Sequence, residues 1–180
     1  MTGRTTMVEL ESQQESSSTM KVASPRHVAA TAALRAGASA ASLAAAVLVV
    51  TNRQERWGIP VNFTMFDVWV AFVAVNFLSC GYALLTAITV KKLVGKSWLH
   101  HADQLAVNLL AAATAGAGAI GSVAMWGNKT SGWFAVCRLY RRYCDVGAIA
   151  LALSFAAVLF LGAASALSRY PRTIARQLNW

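Results

Sequence analysis

Four long apolar runs dominate this sequence and restrict what the chain can fold into. They cover residues 29–51, 68–90, 99–125 and 146–167, and each reaches the roughly 20 residues that a helix needs to cross a bilayer core. Because the runs contain almost no charge, their helices would have no polar face to turn toward water. The sequence therefore predicts an all-α fold, an integral membrane bundle of four helices.

The composition outside these runs sets the domain organisation. Residues 1–26 are rich in Ser, Thr, Gln and Glu and have no aromatic residue, which predicts a disordered tail because so little apolar surface could be buried. The polar start and the length of the first run argue against a cleaved signal peptide. We therefore expect a tail at 1–26, a four-span membrane domain at 27–170 and a second short tail at 171–180.

The distribution of basic residues predicts the orientation. Four spans put both termini on one side, which would carry Arg4, Lys21, Arg26, Lys91, Lys92, Lys96, Arg169, Arg172 and Arg176. The opposite side would carry Arg53, Arg56, Lys129, Arg138, Arg141 and Arg142. The positive-inside rule places the larger set, and with it both termini, in the cytoplasm.

Two N-x-[ST] patterns, at Asn62 and Asn128, fall in the loops that this orientation places outside. Both are candidate glycosylation acceptors, although each lies near a predicted span and such a short pattern also arises by chance. The net charge of +9 does not indicate nucleic acid, because the basic residues are scattered and follow no nucleic-acid-binding motif. The lipid bilayer is the expected partner of these charges.

Two of the three cysteines, Cys137 and Cys144, lie together in the second outer loop. Outside the cytoplasm they could form a disulfide that holds the loop in a compact shape, and the alternative is two free thiols. Cys80 lies within the second run and is interpreted as a small buried residue. The loop offers two cysteines and no histidine, which is too few ligands for a zinc site, so no metal is expected.

Two ionisable residues, Arg35 and Asp103, lie at similar depth inside the first and third runs. A charged residue near the middle of a membrane helix costs about 2.5–3.5 kcal/mol on insertion scales, and such residues are usually paired or face a bundle interior. We therefore predict an intramembrane ion pair. In the alternative, Arg35 extends to the headgroups and Asp103 caps its helix in water.

Small residues recur every four positions in the first and third runs, including Gly37, Ala41, Ala117 and Gly121. Such faces allow helices to approach closely. We expect the first and third spans to contact each other there, as an Arg35–Asp103 pair would also need.

The sequence contains no recognisable catalytic or cofactor-binding set. The outer loops lack histidine, so they offer no Ser/His/Asp or Cys/His arrangement, and no histidine lies at depth on facing helices to hold haem. We expect a protein that is not an enzyme and binds no cofactor.

Several of these residues resemble the Casparian strip membrane domain protein-like family of land plants, which is distantly similar to the MARVEL domain. The resemblance spans residues 26–170 and depends on Arg35, on Asp103-Gln104 before an Ala-rich stretch, on Gly127-Asn128 with Trp133, and on the two cysteines. It implies a multi-pass plasma-membrane protein that forms homo- or hetero-oligomers. In the founding members it also implies a scaffold that recruits enzymes of local cell-wall lignification, and their Phe-containing outer stretch is matched only in part by residues 62–66.

Two functions follow as hypotheses. The first is a scaffold that self-associates through its small-residue helix faces and presents its outer loop to extracellular protein partners. The alternative is a small channel or transporter in which Arg35 and Asp103 form part of a pathway, because intramembrane ionisable residues are candidate functional groups. Proline lies only outside the predicted spans, whereas many carriers have broken helices at the midplane.

Overall fold

The structure is a computed structural model that describes residues 25–56, 58–89 and 97–177. The predicted tail at residues 1–26 lies outside this range except for its last two residues. Lys91, Lys92, Lys96 and the last three residues of the chain also lie outside it.

Four helices form the body of the molecule: α1 (Pro25–Thr51), α2 (Asp67–Ile88), α3 (Ser97–Trp126) and α4 (Arg141–Gln177). Each contains a segment that is long and apolar enough to cross a membrane. The predicted all-α membrane bundle of four helices is therefore confirmed.

The helix boundaries differ from the predicted spans at several places. α1 begins at Pro25, inside the predicted N-terminal tail, and proline suits a first helical turn because its missing N–H would have no partner there. α4 begins at Arg141 and continues to Gln177, past the predicted span end at residue 167. The length of an apolar run predicts only the part of a helix that lies in the membrane. The helix itself ends where its backbone hydrogen bonds stop.

The helices pack in a ring in chain order. α1 and α3 each pack against α2 and α4, which puts α1 and α3 on opposite corners of the bundle. They meet through side chains near the axis, where Ala41 of α1 joins Leu110 of α3 and Ala157 of α4 in one buried cluster. The first and third spans therefore contact each other through side chains, as predicted. Their main packing is against α2 and α4, because antiparallel helices joined in sequence become neighbours and leave these two on a diagonal.

The small residues of α1 and α3 instead make room for α4. A Cβ atom built on Gly37 would lie 3.5 Å from the ring of Phe160, and one built on Gly121 would lie 3.7 Å from Leu151. Ala41 and Ala117 are buried in the core at 9% and 0% exposure. All four residues thus serve packing within one chain.

The two connections opposite the termini contain short elements of their own. β1 (Gln54–Arg56) and β2 (Ile59–Val61) pair antiparallel in the first, with Gln54 opposite Val61. A 3-10 turn at Phe63–Met65 follows, and a second one at Val136–Arg138 lies in the other connection. We call this end of the bundle the disulfide end and the opposite one the termini end.

Candidate functional site

Arg35 and Asp103 form an ion pair inside the bundle. Nη1 of Arg35 donates to Oδ1 of Asp103 at 2.8 Å, and Nη2 donates to Oδ2 at 2.5 Å. Their side chains are 0% and 1% exposed. Helical side chains lean toward the N-terminus of their helix, and this brings the long Arg35 side chain to the level of Asp103, near the start of α3.

α2 supplies two further residues to this pair. The hydroxyl of Tyr82 donates to Oδ1 of Asp103 at 2.5 Å, and Nη1 of Arg35 donates to the hydroxyl of Thr86 at 2.8 Å. Thr86 in turn donates to the carbonyl of Tyr82 one turn earlier. The pair thereby becomes a four-residue charged cluster that joins α1, α2 and α3.

The charged cluster can stabilise the packing of α1, α2 and α3 against one another. Taking two charges out of water costs several kcal/mol for each ion, and their attraction offsets this only with good geometry and additional hydrogen bonds. The bidentate contact and the two hydroxyl groups supply those bonds. Nε of Arg35 is buried and has no hydrogen-bond partner among the described residues.

A second polar group lies deeper in the bundle and was not predicted from the sequence. Ser154 of α4 donates to Oδ1 of Asn76 of α2 at 3.1 Å, and its hydroxyl lies 2.7 Å from that of Thr114 on α3. Asn76 and Ser154 are both 0% exposed. Each of the three is a single polar residue within an apolar run, and this was the only sign of them in the sequence. That their side chains converge depends on the rotation of each helix, which the sequence does not show.

The disulfide end is held by covalent and hydrogen bonds. Cys137 and Cys144 form a disulfide with a Cα–Cα distance of 5.7 Å, within the usual range. The side-chain amide of Asn52 donates to the carbonyl of Tyr143 at 2.8 Å, and the Tyr143 N–H donates to Oε1 of Gln54 at 3.1 Å. These bonds tie the first connection to the start of α4, beside the disulfide.

A tight turn follows α3. Asn128 and Trp133 exchange backbone hydrogen bonds at 2.8 and 3.0 Å, and Gly127 has a φ of 73°. A Cβ atom on Gly127 would lie 2.8 Å from the Trp133 carbonyl oxygen, so glycine is needed both for its conformation and for space. The turn presents Trp133 with 54% of its surface exposed.

Both candidate glycosylation acceptors lie at the disulfide end. Oδ1 of Asn62 accepts from the hydroxyl of Thr64 at 2.6 Å, and Oδ1 of Asn128 accepts from the backbone N–H of Thr130 at 3.0 Å. Asn62 is half-buried and Asn128 is exposed. Attachment of a sugar at either residue stays a prediction.

Below the disulfide, a cavity of about 340 Å³ opens between the ends of α2, α3 and α4. Its lining is largely apolar and includes Trp69, Leu151 and Tyr143. Within residues 25–56, 58–89 and 97–177, no three His, Cys, Asp or Glu side chains come together as they would around a metal ion.

A four-span bundle with a buried charged cluster at one end and a disulfide at the other defines a class, the multi-pass membrane proteins. The family model of the Casparian strip membrane protein domain matches residues 24–160. The chain belongs to this family, as the resemblance predicted.

Curated relatives agree with this assignment. CASP-like protein UU-1 of Oryza sativa subsp. japonica is 62% identical over 92% of this chain and 97% of its own length. CASP-like protein UU-1 of Sorghum bicolor is 70% identical over 69% of both chains. Casparian strip membrane protein 1 of Medicago truncatula is 31% identical over 76% of this chain and 83% of its own. A plasma-membrane location is consistent with these relatives, and no solved structure matches the chain.

Proposed function

We propose that this protein is a non-catalytic scaffold of the plasma membrane, which assembles into oligomers and organises a membrane domain around them. One observation carries the proposal: Arg35 and Asp103 neutralise each other at 0% and 1% side-chain exposure. Charges in this state bind no solute and transfer no proton to water. Their role is to hold three helices in one arrangement, which is what a scaffold requires.

The proposed orientation places the termini in the cytoplasm and the disulfide end outside. An outer location suits the Cys137–Cys144 disulfide, because disulfides persist in oxidising compartments. It also places the exposed rings of Trp133 and Phe134 outside, where they could contact extracellular proteins. Cell-wall-modifying enzymes are the partner class that the family resemblance implies.

Transport is the competing function, and the geometry of the charged cluster does not favour it. A channel or carrier that used Arg35 and Asp103 would expose them to a water-filled path in at least one state. Here both carboxylate oxygens are occupied by hydrogen bonds from Arg35 and Tyr82. The residues beyond the cluster, toward the disulfide end, include the apolar core side chains Ala38, Leu110 and Leu161.

The test uses purified full-length protein in nanodiscs and in liposomes. Two copies with different tags are expressed together, and a defined oligomer measured by native mass spectrometry, with both tags in one particle, supports the scaffold. A monomer at all concentrations contradicts self-assembly. Specific ion or solute flux that Asp103→Asn abolishes in folded protein would establish transport instead.

A further inference from the structure

Two copies of this chain must meet at some surface if they assemble, and the location of that surface rests on the proposed function. Gly37, Ala41, Ala117 and Gly121 pack inside one bundle, so the expected association through these residues is not open to a second chain. Any contact between copies must use the outer surface of the bundle. α3 is the span with the smallest buried share, 11%, against 28–39% for the other three.

One face of α3 differs from the rest of the outer surface. A set of exposed residues on this helix follows a spacing of three or four, so they share a narrow stripe. The exposed side chains of Leu105 and Leu109 lie beside this stripe. We call this stripe the α3 face, and it consists of Gln104, Asn108, Ala112, Ala115, Ala119 and Ser122. Every side chain in it is polar or small.

The exposed residues inside the other spans are apolar. On α2 they include Phe77, Leu78 and Leu85, and on α4 they include Phe155 and Leu159. On α1 they are alanines with Leu43 and Val47. Apolar side chains are sufficient for a surface that faces lipid. The α3 face differs through its polar residues Gln104, Asn108 and Ser122, whereas exposed alanines occur on α1 as well.

Asn108 is the residue of this face that bears most directly on a partner, because its polar side chain lies deep within the span. Trp98 and Trp126 mark the ends of the span, and Asn108 lies four residues from the middle, about 6 Å along the helix at 1.5 Å per residue. Its Oδ1 accepts from Nε2 of Gln104 at 3.3 Å. Its own side-chain N–H groups donate to no atom of the described residues.

An exposed amide at this depth needs a hydrogen-bond partner. Lipid tails offer none, and a polar group left unsatisfied in hydrocarbon is costly. An amide is both donor and acceptor, so the same residue on a copy related by a two-fold axis would complement it. The alanines along the stripe would allow the two helices to approach closely.

We infer that the α3 face is the interface through which a second copy of this chain binds, with the Asn108 amides paired across the contact. The two α3 helices would cross near Asn108 and Ala115. The buried charged cluster, on the inner side of α3, would hold this helix in the orientation that presents the face outward.

The experiment measures association in lipid vesicles by energy transfer between full-length copies that carry donor and acceptor fluorescent proteins at the C-terminus. Asn108→Leu and Ala115→Leu are each expected to weaken association about tenfold, because an interhelical hydrogen bond and close packing are lost. Ala40→Leu is the matched control, since Ala40 is an exposed alanine of α1. It should leave association unchanged.

Disulfide cross-linking locates the contact independently. In a Cys80→Ala background, cysteines placed at Ala112, Ala115 or Ala119 should cross-link two copies upon oxidation, whereas one at Ala40 should not. Formation of the Cys137–Cys144 disulfide in every variant serves as the check on folding.

The outcomes separate this inference from the proposed function. Wild-type association that is insensitive to Asn108→Leu and Ala115→Leu, with cross-links at Ala40, overturns the α3 interface and leaves the scaffold intact. A wild-type protein that stays monomeric overturns both. Association that weakens in the two α3 variants alone supports both.

Discussion

Arg35 and Asp103 join two helices that face each other across the diagonal of the bundle. Each terminal nitrogen of the guanidinium binds one carboxylate oxygen, at 2.8 and 2.5 Å, while the helices themselves pack mainly against α2 and α4. The ion pair thus spans the bundle axis. It also sets the rotation of α3, because Asp103 can face the axis only when the opposite side of that helix faces outward.

The ion pair should be essential for stability. Arg35→Ala or Asp103→Ala leaves an uncompensated buried charge, and we expect each to lower the free energy of unfolding by about 3–5 kcal/mol. The exchange Arg35→Asp with Asp103→Arg should recover part of this loss. The free energy of unfolding of the wild type and these three variants is measured in mixed micelles by circular dichroism. Leu43→Ala, at an exposed position of α1, is the control. Additive losses without recovery in the double exchange would contradict a coupled pair.

Tyr82 should contribute through its hydroxyl group alone. Tyr82→Phe keeps the ring and removes a hydrogen bond to a carboxylate, which is worth about 1.5–3 kcal/mol. We expect a loss of that size in the same unfolding measurement. In an Asp103→Ala background the effect of Tyr82→Phe should fall close to zero. An equal effect in both backgrounds would show that the hydroxyl acts independently of Asp103.

A comparison of Gly127 with Gly132 separates the cost of a positive φ from the cost of a steric clash. Both have a positive φ, 73° and 69°, but a Cβ atom meets the Trp133 carbonyl only at Gly127. Gly132→Ala should therefore show only the conformational cost of about 1–2 kcal/mol, and Gly127→Ala should destabilise the protein more. Thermal unfolding of the two variants measures the difference. Equal losses would mean that the turn shifts to accommodate the methyl group.

The disulfide should stabilise the folded state by reducing the number of conformations that the unfolded chain can adopt. Its loop is short, with a sequence separation of 7, and the chain-entropy relation then predicts about 2.5 kcal/mol. Reductant should lower the unfolding midpoint of the wild type and of Cys80→Ala alike. The double variant Cys137→Ser with Cys144→Ser should start at the lower midpoint and show no further response. If reductant does not change the unfolding midpoint of the wild type, the disulfide does not contribute this stability.

Much of the fold could be predicted because it depends on local composition. Four apolar runs separated by charged connections allow few arrangements in a bilayer, since each backbone group must be satisfied within a helix. The same reasoning identified Arg35 and Asp103, whose charges stand out against the apolar sequence. It did not identify Tyr82, Thr86 or Asn76, because weakly polar residues within a span look alike until the rotation of the helix is known.

The sequence by itself determined the number of spans, the positions of the intramembrane charges and the pattern of small residues, because these follow from hydrophobic length and residue type. Only the tertiary structure decided which helices are neighbours. It placed Gly37 and Gly121 against α4 instead of against each other, and it turned Asn108 outward while Asp103, five residues earlier, faces the axis. Which side of a helix faces the axis depends on how all four helices pack together. The residue pattern within one helix is therefore not sufficient to predict it.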